Sequence, residues 1–134
     1  MPLMTKAITI WQPYAAAIAC GLKRYETRGW ATKYRGPLII HASMRQLNSV
    51  GRELAEKYNI LLNAHQTGEF IAICDIVDCI EITAEFIEKQ SETEKNFGIW
   101  AVGRYAWKLE NVRPLPRGIK SRGYQGLWNA PNFN

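Results

Sequence analysis

The stretch Lys6-Ala7-Ile8-Thr9-Ile10-Trp11-Gln12-Pro13-Tyr14-Ala15-Ala16-Ala17-Ile18-Ala19-Cys20-Gly21 decides the reading of the fold. Its first part alternates apolar and polar residues and carries the β-branched Ile8, Thr9 and Ile10, the pattern of a strand with one buried face. Gln12-Pro13 ends that strand. Proline is tolerated in a first helical turn, where its missing N–H would find no partner anyway. The alanine-rich run Tyr14 to Cys20 is therefore expected as a short helix, closed by Gly21 in the left-handed conformation.

Outward from this start, Arg24 to Trp30 reads as a second strand and Tyr34-Arg35-Gly36-Pro37 as a turn into a short buried strand, Leu38 to Ala42. Leu47 to Tyr58 has the spacing of an amphipathic helix, with Leu47, Val50, Leu54 and Tyr58 on one side. Phe70 to Ile82 is a long strand in which Ala72, Cys74, Ile76, Asp78 and Ile80 share one parity and Ile71, Ile73 and Asp75 the other. Thr83 caps a short helix to Lys89, and the polar Gln90 to Asn96 reads as a mobile loop. Gly103 to Asn111 is a strand; Pro114, Pro116, Gly118 and Gly123 then make an irregular approach to a last strand near Gln125 to Trp128. The expectation is one α+β domain over residues 1–134: a small mixed, mainly antiparallel sheet curled into a β-barrel, with two or three helices packed around it.

The chain has 134 residues, of which 47% are hydrophobic, enough for one packed core and too many for a disordered tail. Its charge is unevenly placed. Residues 1–52 hold eight basic residues and one acid, Glu26; residues 53–95 hold three basic and ten acidic; the remainder holds six basic and one acidic. Aromatic residues concentrate in the two basic blocks. If the fold brings those blocks together, one basic, ring-rich face suits an anionic, stackable partner such as single-stranded RNA or a nucleotide. The competing reading makes the rings core residues and the cations solvated.

No apolar run approaches the roughly 20 residues that span a bilayer, so no membrane partner is expected. The N-terminus lacks the charged and apolar regions of a secretory leader. Cys20, Cys74 and Cys79 have no paired metal-binding spacing, and only His41 and His65 are available to join them, so reduced thiols, a cytoplasmic location and no metal site are expected. There is no phosphate loop or dinucleotide fingerprint, and no cofactor is implied.

The densest polar cluster is Gly21-Leu22-Lys23-Arg24-Tyr25-Glu26-Thr27-Arg28. On a regular strand Arg24, Glu26 and Arg28 face one side and Lys23, Tyr25 and Thr27 the other, unless a twist after Gly21 redirects Lys23. Glu26, with an arginine two places away on each side, is either a structural brace or the orienting acid or base of a cleft in which Lys23 and an arginine bind phosphate.

These residues resemble a known family. Trp11-Gln12-Pro13-Tyr14-Ala15, then Gly21-x-Lys23-x-x-Glu26-x-Arg28, then Trp30-x-Thr32-x-Tyr34-Arg35-Gly36-Pro37-Leu38-x-Ile40-His41-Ala42 look like the N-terminal half of ASCH domains. Val77-Asp78-Cys79, Tyr105-Ala106-Trp107-x-Leu109, Arg113-Pro114-Leu115-Pro116 and Gly126-Leu127-Trp128 resemble later elements in the same order. The resemblance implies a barrel related to the PUA fold, with a cleft at the signature strand and a role in RNA binding or RNA-linked chemistry. It also raises two hydrolase alternatives, a single-strand ribonuclease and an acetylcytidine amidohydrolase. The amidohydrolase branch has a threonine nucleophile where this chain has Glu26, and Thr27 falls one place too late.

The site expected from these readings has Lys23, Glu26 and His41 as catalytic candidates, and Trp11, Lys23, Arg28, Trp30, Tyr34, Arg35 and Ser43 as RNA- or nucleotide-binding residues. His41 ends a buried strand and suits a core position; with Ser43 and Lys23 it also forms the acid–base set if RNA is cleaved. Trp11 and Trp30 either stack on bases or line the barrel wall. Lys23, Arg24, Arg28 and Arg35, with Lys120 and Arg122, are expected to share a surface. A further alternative is a protein-interaction module using the acidic middle third.

Overall fold

The computed structural model describes residues 5–62 and 67–130. In chain order these form β1 (Thr5–Ile10), α1 (Tyr14–Ala19), β2 (Tyr25–Arg28), β3 (Gly36–Ala42), α2 (Ser49–Lys57), β4 (Glu69–Glu81), α3 (Ala84–Glu88), α4 (Glu92–Asn96), β5 (Tyr105–Lys120) and β6 (Leu127–Ala130). The six strands make one sheet in the order β2-β5-β4-β3-β1-β6. Only β1 and β3 run parallel; every other neighbouring pair is antiparallel. The fold is therefore mixed α+β, as expected, with four helices rather than two or three. The sheet is not closed into a barrel: the short β2 and β6 pair with β5 and β1, and not with each other, among the described residues.

The chain's first and last strands lie side by side, with Thr5 opposite Ala130 and Ile8 opposite Leu127. This placement gives β1 two buried faces instead of one. Ile8 and Ile10 join Leu38, Ile40, Ala72, Cys74, Ile76 and Trp107 in the main core under α1, while Ala7 packs with Ile39, Phe70 and Trp128 on the opposite face. The even parity of β4 is buried from Phe70 to Ile76 and is lost beyond it, past the last of three slips in the ladder to β5.

Three further expectations are corrected in whole or in part. Residues 92–96 of the supposed loop form α4, because the Ser91 hydroxyl accepts the Glu94 N–H at 3.1 Å and caps a first turn that also holds Glu92. The stretch with Pro114 and Pro116 falls within β5 rather than before a separate strand, but it is irregular as expected: the ladder to β4 passes from Ala72–Pro114 directly to Phe70–Ile119, leaving residues 115–118 out of register. Of the apolar face assigned to α2, Leu47, Leu54 and Tyr58 are half-buried opposite the exposed Arg52, Glu53, Glu56 and Lys57, and only Val50 departs from it. Val50 is exposed, and the helix is seated through Gly51, where an added Cβ would stand 3.1 Å from the Pro13 ring.

Candidate functional site

The turn after α1 sets up the site. Gly21 takes a φ of +88°, and the N–H groups of Leu22 and Lys23 both donate to the Ala17 carbonyl, at 2.9 and 3.0 Å. The chain is thereby folded back over the helix end before β2 begins at Tyr25, so Lys23 precedes the strand and escapes its alternation. Its side chain turns inward and is only 2% exposed. The ammonium donates to the Phe97 carbonyl and lies 3.5 Å from Glu26 Oε1.

Glu26 shares its other oxygen with Arg28, whose Nε donates to Oε2 at 2.8 Å; an Arg28 Nη2 reaches the Thr9 carbonyl at 3.4 Å. One carboxylate thus bridges two cations, and the three side chains converge on a cleft of about 390 Å³. Thr9, Ile10, Trp11 and Tyr14 supply one side of it, and Phe97, Gly98, Ile99 and Arg104 the other. Burial pushes the Lys23 ammonium below its usual 10.5, opposed by attraction to Glu26 and Glu94.

Glu94 anchors α4 to β2. Its carboxylate accepts the main-chain N–H of Arg24 at 2.9 Å and that of Tyr25 at 3.2 Å. Burial raises its pKa, while those two N–H groups and Lys23 work against the rise. This anchor also holds the loop that follows α4, whose Phe97 carbonyl receives Lys23.

The structure brings together Lys23, Glu26, Arg28 and Trp11. Trp11 is half exposed, and the Arg45 guanidinium stacks 3.6 Å from its ring centre. Trp30 is also half exposed but packs edge-on against Trp107, with ring centres 4.8 Å apart, and does not line the cleft. Tyr34 and Arg35 precede β3, at the opposite end of that strand from the cleft. The Tyr34 hydroxyl donates to the Pro37 carbonyl, and Arg35 donates to the carbonyls of Thr32 and Tyr34 at 2.9 and 3.0 Å. Ser43 accepts the Arg45 N–H and lies outside the cleft lining.

His41 stands behind Thr9, away from the cleft. Trp128 Nε1–H donates to Thr9 Oγ1 at 3.2 Å, so the Thr9 proton points to His41 Nδ1 at 3.1 Å, and His41 Nε2–H donates to the Ser121 carbonyl at 2.7 Å. Both ring nitrogens are occupied, the residue is 1% exposed, and burial lowers its pKa, all of which suit a neutral structural imidazole. The expected shared cationic surface is also divided. Lys120 lines a separate cavity, and Arg122 lies over the Tyr124 ring.

Arg104 was not expected. Its Nε and Nη2 donate to the carbonyls of Ile99 and Thr27, both at 3.2 Å, which fixes a cation from the last basic block beside the cleft. Nothing in its local sequence marks it. Thr27 lines the cleft despite its strand parity, but its hydroxyl oxygen accepts the Ile99 N–H at 3.0 Å. Among the described residues no group of three His, Cys, Asp or Glu could hold a metal ion, and His65 lies outside them.

Sheet and cleft together define a small α+β domain with a cationic, ring-lined pocket at the ends of β1 and β2. The chain belongs to the ASCH domain family, whose model matches residues 8–120; ASCH domains are PUA-like. It is also similar to activating signal cointegrator 1 of Homo sapiens and of Mus musculus, at 27% identity over 101 residues in each case. Those matches cover 67% of this chain but only 17% of each relative. No helix is long and apolar enough to cross a membrane, among the described residues.

Proposed function

We propose that this domain binds RNA or a nucleotide in the cleft built on Gly21-x-Lys23-x-x-Glu26-x-Arg28, as a cytoplasmic protein. ASCH domains are generally RNA-binding, which makes RNA the first class of ligand to consider. The observation that carries the reading is the carboxylate bridge: Glu26 holds Lys23 and Arg28 at one pocket floor. Glu26 is the only acid among the residues lining the cleft, with Glu94 acting on Lys23 from outside that lining, and Arg104 adds a third cation to Lys23 and Arg28. A phosphate would meet Arg28 and Arg104, while Trp11 offers a half-exposed ring on which a base can stack. A volume of about 390 Å³ admits a single nucleoside and no folded duplex. Fluorescence titration of a labelled single-stranded RNA should show binding that Arg28→Ala weakens by about tenfold, the loss of one charge-assisted contact. Equal affinity of the two proteins would rule the reading out.

A second, hydrolytic reading draws on one observation, the buried Lys23 whose ammonium is shifted below its usual range beside an open cleft. It requires that purified protein cleave single-stranded RNA or deacetylate acetylcytidine, and that Lys23→Ala lose that activity. Equal turnover by both proteins would sink it.

A further inference from the structure

A second cavity, of about 900 Å³, lies beyond the ring pair Tyr58 and Phe97, whose centres are 4.9 Å apart. Phe97 faces the cleft and Tyr58 faces this cavity, which is walled by the end of α1, residues 58–61 and the paired ends of β4 and β5. Glu69, at the start of β4, is its most unusual lining residue. It is 7% exposed, yet no hydrogen bond or ion pair reaches its carboxylate from any described residue. The carboxylate lies against Gly118 on β5, so close that an added Cβ there would stand 2.8 Å from Glu69 Cδ. Lys120 is its cross-strand neighbour and lines the same cavity, but the two side chains form no ion pair.

A carboxylate can only accept, and an acceptor buried without a donor is strongly disfavoured in the free protein. A ligand that supplies N–H groups relieves that cost. Arg117 and Lys120 on the lining call for an anionic group on the same ligand, and Ile71, Leu115 and Pro116 call for a flat apolar body between the two. We infer that this cavity is a second binding site and that it takes a guanine nucleotide. The base N1–H and N2–H donate to the two Glu69 oxygens, and the phosphate lies against Lys120 and Arg117. Guanine alone among the four RNA bases presents two adjacent N–H donors on its pairing edge; adenine and cytosine turn a ring-nitrogen lone pair toward the carboxylate, and uracil offers a single N–H between carbonyls.

Cys20 gives a local readout, because it is an exposed free thiol on the cavity lining, whereas burial pushes the Cys74 thiol up to about 12. GMP, and a short single-stranded RNA with one guanine, should slow modification of Cys20 by a disulfide reagent several-fold. AMP and a guanine-free RNA should leave it unchanged, and Cys20→Ser should remove the signal. Glu69→Gln should abolish the protection. Gly118→Ala, which displaces the carboxylate from the opposite strand, should do the same if Glu69→Gln fails to fold. Equal protection by GMP and AMP, no protection by GMP, or full protection in a folded variant would overturn the assignment. The readout sits at Cys20 and is separate from RNA binding in the cleft.

Discussion

Glu26 Oε2 accepts the Arg28 Nε–H at 2.8 Å, and this pair is asymmetric in burial: the carboxylate side chain is 9% exposed and the arginine 26%. The other oxygen faces Lys23, at 2% exposure. Removing Glu26 therefore strands a buried ammonium, whereas removing Arg28 leaves the carboxylate still paired. Glu26→Ala should destabilise the fold by about 3–5 kcal/mol. Arg28→Ala should cost only about 1 kcal/mol, as befits a partly solvated partner. Urea unfolding of the two variants measures the difference.

Lys23 links stability to alkaline pH with a definite sign. Burial holds its folded pKa below 10.5, so between the folded value and 10.5 the unfolded chain binds more protons. Stability attributable to Lys23 should therefore rise with pH through that window, a rise that Lys23→Met lacks. RNA affinity should fall over the same window, because the neutral amine no longer attracts phosphate. Thermal melts and binding titrations at stepped alkaline pH test the two opposite slopes.

Glu94 acts at the acid end. Burial raises its folded pKa above 4.5, so just above that value the folded protein binds more protons than the unfolded chain. Its contribution is full below 4.5 and is lost as pH climbs through the raised folded value. Glu94→Gln should flatten that part of the stability profile. Glu94→Ala also frees the Arg24 and Tyr25 N–H groups and should cost about 1–3 kcal/mol.

Trp11 separates binding from folding. Its ring is 46% exposed and touched by Arg45, so Trp11→Ala should change stability little. The loss of one stacking platform should cost about 1–3 kcal/mol of RNA affinity. Trp30→Ala, at the packed Trp107 contact, should do the reverse, weakening the fold more than binding.

The strand and helix of residues 5–19 were legible because local alternation and an alanine run act over a few residues. Thr83 was legible as a cap for the same reason; its hydroxyl accepts the Phe86 N–H. Features set by distant contacts were not. Ser91 and Glu94 lie in a polar run that looks like loop, and what holds α4 in place is a contact from Glu94 to residues 24 and 25. Arg104 reaches the cleft only because β5 pairs with β2, a register invisible in its neighbours. The inward turn of Lys23 depended on Gly21 ending the helix before the strand begins, which broke the alternation that a continuous strand would impose. His41 was legible as a core position from the buried strand it ends, but its partners were not, because Thr9 and Ser121, far away in sequence, engage both its nitrogens.

Contact between phosphate and Arg28 with its neighbours in the cleft is tested most directly by salt. Affinity for a single-stranded RNA should be measured across a range of salt for the wild type and Arg28→Ala. Log K should fall with log salt in the wild type, by about 0.7 for each phosphate contacted, and Arg28→Ala should lower the slope by about one such contact. Binding that is indifferent to salt, or a slope that the substitution leaves unchanged, would contradict it.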